Sequence, residues 1–190
     1  WSWNFGDGIG NSNIQNPSYT YAPVYSITNF NVSLNVTDSN ACTNDTTITI
    51  VVNPLPIAEF SVNPTCSGYQ SIFNDLSTSN GGNITEWYWD FGDGIGISNQ
   101  QNPAYLYPAT STIDYYTVIL VVKDINGCID TVSHQTMIIP SPNASFISDT
   151  VCSGNLAHFI DNSTTIGGTI TGWNWNFGDG IGISNQQNPS

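Results

Sequence analysis

The pattern Trp-x-Trp-(Asp/Asn)-Phe-Gly-Asp-Gly-Ile-Gly occurs three times, beginning at Trp1, Trp87 and Trp173, so each copy stands 86 residues from the next. The cysteines keep the same period, Cys42 with Cys128 and Cys66 with Cys152. Self-similarity at one fixed period is the signature of tandem modules and excludes a single continuous core. The chain of 190 residues therefore divides into the C-terminal part of one module (1–53), a complete module (54–140) and the N-terminal part of a third (141–190). Opening inside one copy and stopping inside another, it reads as a window on a longer repeating polypeptide.

Within the complete module the apolar pattern predicts strands throughout. Ile57–Val62 alternates, and Asn63–Gly68 is a turn. Tyr69–Phe73 reads as a second strand, and Asn74–Asn83 as a Gly/Ser/Asn loop. Thr85–Phe91 alternates with Trp87, Trp89 and Phe91 on one face and Glu86, Tyr88 and Asp90 on the other. A short strand is expected near Asn102–Tyr107, a long β-branched one over Tyr115–Val122, and a return over Cys128–Ile139 after the Asn126-Gly127 turn. The partial copies repeat this at Asn29–Val36, Thr46–Val52, Ala144–Ile147 and Asn155–Ile160. About seven short strands, with a buried Trp on the third, predict an all-β, immunoglobulin-like β-sandwich. The linkers Asn53–Pro56 and Pro140–Pro142 are proline-rich and short, which makes them stiff spacers and the array an extended rod.

Charge narrows the choice of partners. The chain carries 14 acidic residues and a single basic one, Lys123, for a net −13. Charged residues are 8% of the total, against about 25% in ordinary soluble domains. With nothing to neutralise phosphates, nucleic acid is excluded as a partner, and an anionic membrane surface is disfavoured. No apolar run reaches the roughly 18–20 residues that span a bilayer, so membrane insertion is not expected. Cysteines in repeat register suggest disulfides and an oxidising, extracellular location. A metal is disfavoured at these cysteines, because there is no Cys-x-x-Cys pair and no His at ligand spacing.

Three segments of the complete module carry a family resemblance. They are Trp89-Asp90-Phe91-Gly92-Asp93-Gly94, Asn102-Pro103-Ala104-Tyr105-Leu106-Tyr107, and the run Tyr116 to Asp124. Together they resemble the polycystic kidney disease (PKD) domain, and the likeness covers essentially the whole chain. Asn4 and Asn176 stand where the family pattern has Asp, and Tyr19 and Tyr105 where it has His. The chain is also similar to tandem PKD arrays in secreted or surface proteins of Bacteroidetes-like bacteria. The resemblance implies a non-catalytic stalk, adhesin or surface filament.

Each candidate site has a structural reading beside its functional one. Trp87, Trp89 and Phe91 form a core face or else an aromatic platform for a sugar chain, with Trp87 the more exposed. Gly92-Asp93-Gly94 is a capped turn or, with Asp90 and Asp93 as ligands, a calcium loop without EF-hand spacing. No cofactor is otherwise expected. His134 and His158 do not repeat each other and lack a paired nucleophile motif. N-glycosylation sequons fall at Asn31, Asn35, Asn44, Asn83, Asn143 and Asn162. Asp-Thr sites that resemble bacterial O-glycosylation positions place further candidates at Thr46, Thr131 and Thr150. For the thiols, Cys66 with Cys128 is the simplest pairing within one module, yet the two turns should lie at opposite ends of the sandwich. The alternative is a bond between successive modules, from the first-turn Cys of one to the last-turn Cys of the next.

The expectation is therefore a non-catalytic extracellular structural or adhesive repeat protein. Its partners would be itself, through fibre formation, and possible surface glycans. The alternative is a carbohydrate-binding accessory region of a secreted polysaccharide- or protein-degrading enzyme.

Overall fold

A computed structural model describes residues 1–190. The first repeat contributes β1 (Ser2–Asn4), β2 (Asn11–Ser12), β3 (Thr28–Thr37) and β4 (Thr43–Val52). The central repeat contributes β5 (Phe60–Val62), β6 (Thr65–Cys66), β7 (Ser71–Asp75), β8 (Ile84–Asp90), β9 (Ile97–Ser98), β10 (Ala104–Tyr105), β11 (Asp114–Asp124) and β12 (Ile129–Ile139). The third contributes β13 (Phe146–Ser148), β14 (Phe159–Asp161), β15 (Trp175–Asn176) and β16 (Ile183–Ser184). The fold is all-β, as the alternation of apolar residues predicts.

The central repeat is a sandwich of two sheets, one ordered β10-β7-β5 and the other β6-β12-β11-β8-β9. The largest ladder joins β11 to β12, antiparallel from Asp114↔Ile138 to Lys123↔Ile129. β8 lies on the other side of β11, with Trp89 opposite Leu120 and Trp87 opposite Val122. Side chains alternate across each strand, so Val118, Leu120 and Val122 meet Trp89 and Phe91 from the facing rows and Phe60 and Phe73 from the opposite sheet. Trp89 and Phe73 are fully buried. The Phe60 and Trp89 rings meet edge-on at 5.1 Å, the arrangement that ring quadrupoles favour.

Two small strands were not anticipated. β6 forms inside the expected Asn63–Gly68 turn and runs parallel to the end of β12, with Cys66 opposite Ile139. β9 pairs only with Trp89 and Asp90. Two-residue pairings leave no periodic signal in a sequence. The first strand is also shorter than expected: Ile57 makes an isolated bridge to Thr78, and the ladder starts at Phe60.

The flanking segments carry the same local structure. β2-β1-β3-β4 reproduces the order β9-β8-β11-β12, and β13 pairs with β14 as β5 does with β7. Their core aromatics are more open: Phe146 is 57% exposed where its counterpart Phe60 is 4% exposed. The difference follows from which strands residues 1–53 and 141–190 contain, each segment holding only part of a sandwich.

Candidate functional site

The motif loop follows β8 directly. Gly92 has φ +79°, and a Cβ there would lie 2.2 Å from the Thr117 carbonyl oxygen, so only glycine lets the chain turn against β11. Gly96 meets the Tyr105 ring in the same way, at 2.3 Å. Between them, Asp93 Oδ1 accepts the amides of Ile95 (3.1 Å) and Gly96 (2.7 Å). Its Oδ2 accepts the Tyr105 hydroxyl at 2.5 Å. Asp90 Oδ1 accepts the Gly92 amide at 2.8 Å. Burial disfavours the charged Asp93, but the Tyr105 hydroxyl and the two amides outweigh it and hold the carboxyl below its ordinary range. Asp93 in turn, with some burial, pushes Tyr105 up to about 12.

Tyr105 stacks on Phe91 at 4.2 Å with 10° between the ring planes, and Tyr107 donates to the Phe91 carbonyl at 2.9 Å. The loop is thus locked from both sides. The first repeat has the same lock, in which Tyr19 donates to Asp7 and stacks on Phe5. Tyrosine at these positions takes up the hydrogen bond to the loop Asp.

The three core-motif aromatics behave differently from one another. Trp89 and Phe91 are buried, whereas Trp87 is half-buried at the edge of the core. The Trp89 indole donates to the Gln100 carbonyl at 2.8 Å. The Trp87 indole donates to Asp75 at 2.8 Å, and Gln101 donates to the same oxygen at 2.9 Å. Trp87 is therefore a clamp between the two sheets rather than an open platform. Asp75 was missed by sequence reasoning. Its signal is the recurrence of the pair one period on, where Trp173 donates to Asp161 at 2.8 Å.

The structure rules out the within-module pairing of Cys66 with Cys128, in line with the expected placement of their turns at opposite ends. Cys66 sits beside Ile139 at one end of β12, and Cys128 immediately precedes the other end. The 11 residues between span roughly 35 Å at about 3.3 Å per residue, far beyond the ~7 Å that a disulfide bridges between Cα atoms. All four cysteines are free thiols. His134 bonds Glu59 at 2.5 Å, tying β12 to the residue just before β5, and His158 bonds Asp149 at 3.1 Å. No group of three or more His, Cys, Asp or Glu converges. Asp90 and Asp93 each cap their own turn. Every candidate glycosylation residue is exposed: Asn31, Asn35, Asn44, Asn83, Asn143, Asn162, Thr46, Thr131 and Thr150.

The repeats differ from one another on one face. Between Thr85–Pro103 and Thr171–Pro189 only Glu86/Gly172, Tyr88/Asn174 and Asp90/Asn176 change, and all three lie on the outward side of β8. On β11 the inward Tyr116, Val118, Leu120 and Val122 correspond to Phe30, Val32, Leu34 and Val36 of β3. The outward Tyr115, Ile119 and Val121 correspond to Asn29, Ser33 and Asn35. The outward face of the central repeat also carries the Lys123–Glu86 ion pair (2.8 Å) and an open groove of about 470 Å³ beside Tyr88.

A sandwich with a buried Trp on its third main strand and an Asp-capped glycine loop after it defines a class of immunoglobulin-like β-modules. Residues 53–139, which span the central repeat, match the family model of the PKD domain. Over 92 residues the chain is 33% identical to the pre-pro-metalloprotease PrtV of Vibrio cholerae serotype O1 (strain M66-2), covering 48% of this chain and 9% of that protein. The chain thus spans under a tenth of the curated relatives it matches. Among solved structures it is similar to the PKD1 domain of Vibrio anguillarum Epp, at 28% identity over 46% of this chain and 96% of that one, with a TM-score of 0.40. The PKD1 domain of the Vibrio cholerae metalloprotease PrtV is similar at 28% identity over 44% and 96%, with a TM-score of 0.39. No helix is long and apolar enough to cross a membrane.

Proposed function

We propose that the chain is a non-catalytic spacer array of PKD repeats in an extracellular protein. The observation that carries this reading is that most inward positions and the Gly-Asp-Gly motif loop recur at a fixed period, with Tyr116 replaced only by Phe30 on β3, while the outward positions of β8 and β11 change. Such a pattern keeps each module folding on its own core and makes module number set the length of the protein. The motif loop supports it too: the oxygens of Asp93 are committed to holding the fold, and the histidines bond carboxylates rather than a nucleophile. Sparse charge and acidic surfaces fit a solvated exterior role. Self-association of arrays into surface fibres, with glycans on the exposed Asn and Thr sites, is the fuller form of this function.

A second reading has its own support. Similarity to a stretch of a pre-pro-metalloprotease fits an accessory region beside a secreted enzyme, where the groove at Tyr88 would contact a glycan or protein substrate. Electron microscopy of the native material, with intact mass on the same sample, separates the two. Long rods or fibres with a modular repeat support the spacer array, and excess mass marks the glycans. A compact particle with one or two modules beside a catalytic domain would overturn it in favour of the accessory reading.

A further inference from the structure

The segments between repeats are packed into the fold. β4 ends at Val52, and Ile57 is already bonded to Thr78, its amide donating at 2.7 Å and its carbonyl accepting at 2.9 Å. Only Asn53–Pro56 lie between these fixed points, and Pro54 and Pro56 are buried. Proline also fixes φ. One period on, Asn143 repeats the bridge with Thr164, and Pro140 is buried like Pro54. A flexible tether has solvated residues and no fixed neighbours; here each linker is anchored by a buried first proline, Pro54 or Pro140, and by the bridge that follows it, although Leu55, Ser141 and Pro142 are exposed.

The loop after β7 closes on the linker and on the preceding repeat. A Cβ on buried Gly81 would lie 3.1 Å from the Pro54 carbonyl and 3.2 Å from the Pro54 ring. The neighbouring Asn80 reaches into the first repeat, where its amide donates to the Tyr25 carbonyl at 3.3 Å. At the next joint Gly167, the counterpart of Gly81, lies against the preceding repeat, where a Cβ would sit 2.8 Å from Ile113 and 3.3 Å from Ile139. Ser141 ties that linker back to the Ser67 carbonyl at 2.9 Å. The same loop of each repeat therefore meets the same end of its predecessor, through the Asn80 side chain at the first joint and against Gly167 at the second.

We propose that this loop tip, Asn80-Gly81 and its counterpart Ile166-Gly167, is a docking surface whose partner is the preceding repeat of the same chain, seated over the buried linker proline. The loop sets the angle between repeats, and a side chain at Gly81 would press the tip against the Pro54 backbone and shift the joint. The inference rests on the spacer reading and names the surface that keeps the spacer stiff.

The test uses spin labels at equivalent outward positions of neighbouring repeats, Thr47→Cys and Ser133→Cys, in the full 190-residue chain with its four native cysteines changed to serine. Pulsed electron resonance should give one narrow distance distribution. Inserting six Gly/Ser residues between Asn53 and Pro54 should broaden it at least about twofold. Gly81→Val and Asn80→Ala should each shift or broaden it. Asn80→Ala keeps the test open if Gly81→Val weakens the fold, which near-ultraviolet circular dichroism reports. A distribution as broad without the insertion as with it overturns the docked joint. A narrow distribution unmoved by Asn80→Ala and by a folded Gly81→Val overturns the assignment of the seat. Either result leaves the array itself standing, since microscopy of the native material decides that separately.

Discussion

At the scale of single residues, the motif is held by complementary roles that substitutions can separate. Trp89→Ala removes the largest buried side chain and is expected to cost about 3–5 kcal/mol, enough to unfold the central repeat in a thermal melt. The glycines should split by neighbourhood. Gly94 and Gly127 have φ of +81° and +84° with open space around them, so alanine should cost only about 1–2 kcal/mol. Gly92→Ala should cost far more in denaturant titration, because its Cβ would meet the Thr117 backbone. Tyr105→Phe removes a hydrogen bond to a carboxylate and should cost roughly 1–2 kcal/mol after allowing for solvent. The pH profile gives the sign. Asp93 is depressed in the fold, so its contribution is full above the ordinary carboxylate value near 3.8 and fades as pH falls below it. Tyr105 is raised to about 12 from 10, so its contribution is full below pH 10 and is lost as pH climbs toward 12. Denaturation midpoints across pH 2–12 should show both limbs in the parent protein and a weaker alkaline limb in Tyr105→Phe. A melting temperature unmoved by EDTA is expected from turns whose carboxylates already accept protein donors, and a large drop would restore the calcium reading.

At the scale of elements, what the sequence disclosed depended on how far each signal reached. The Trp87, Trp89 and Phe91 alternation foretold β8 and its buried face, and the β-branched run foretold β11, since a period of two survives in any strand with one face in the core. β6 and β9 were invisible because each is two residues long and exists only against a neighbour. The clamps were invisible for a different reason. Asp130 accepts the Ala58 amide 72 residues away, and Asp124, buried beneath its turn, accepts the Asn126 and Cys128 amides. Spacing gave no sign that Asp124 is buried, although Asp38 repeats its bonds to Asn40 and Cys42 in the first copy. The separation of Cys66 from Cys128 was legible, since the strand order put their turns at opposite ends, and β12 separates them by its whole length. A thiol-reactive dye is therefore expected to count four thiols per chain. Cys42, Cys66 and Cys152 are exposed and should react first, whereas burial, helped by Asp124, pushes the Cys128 thiol up and slows it. Fewer than four thiols in freshly purified monomer would restore an internal disulfide.

At the scale of the whole molecule, the joints matter more than any single module. Most core positions, and at the joints Pro54/Pro140 and Gly81/Gly167, recur at one spacing, while Asn80 becomes Ile166 and the outward sheet faces diverge from Tyr88 and Val121 in one repeat to Ser2 and Asn35 in another. The folding pattern thus repeats along the chain, and surface chemistry is left to vary from module to module. Because Pro54 and Pro140 occupy the same buried place one period apart, loss or duplication of a whole period keeps the strand pattern and the linker proline in register, wherever within a repeat the break falls. Recombination between such similar stretches of gene would then change the reach of the protein in steps of one module without creating a misfolded intermediate length. Related strains are accordingly expected to carry arrays that differ by whole modules, a form of variation that leaves folding unchanged and alters only how far the protein extends.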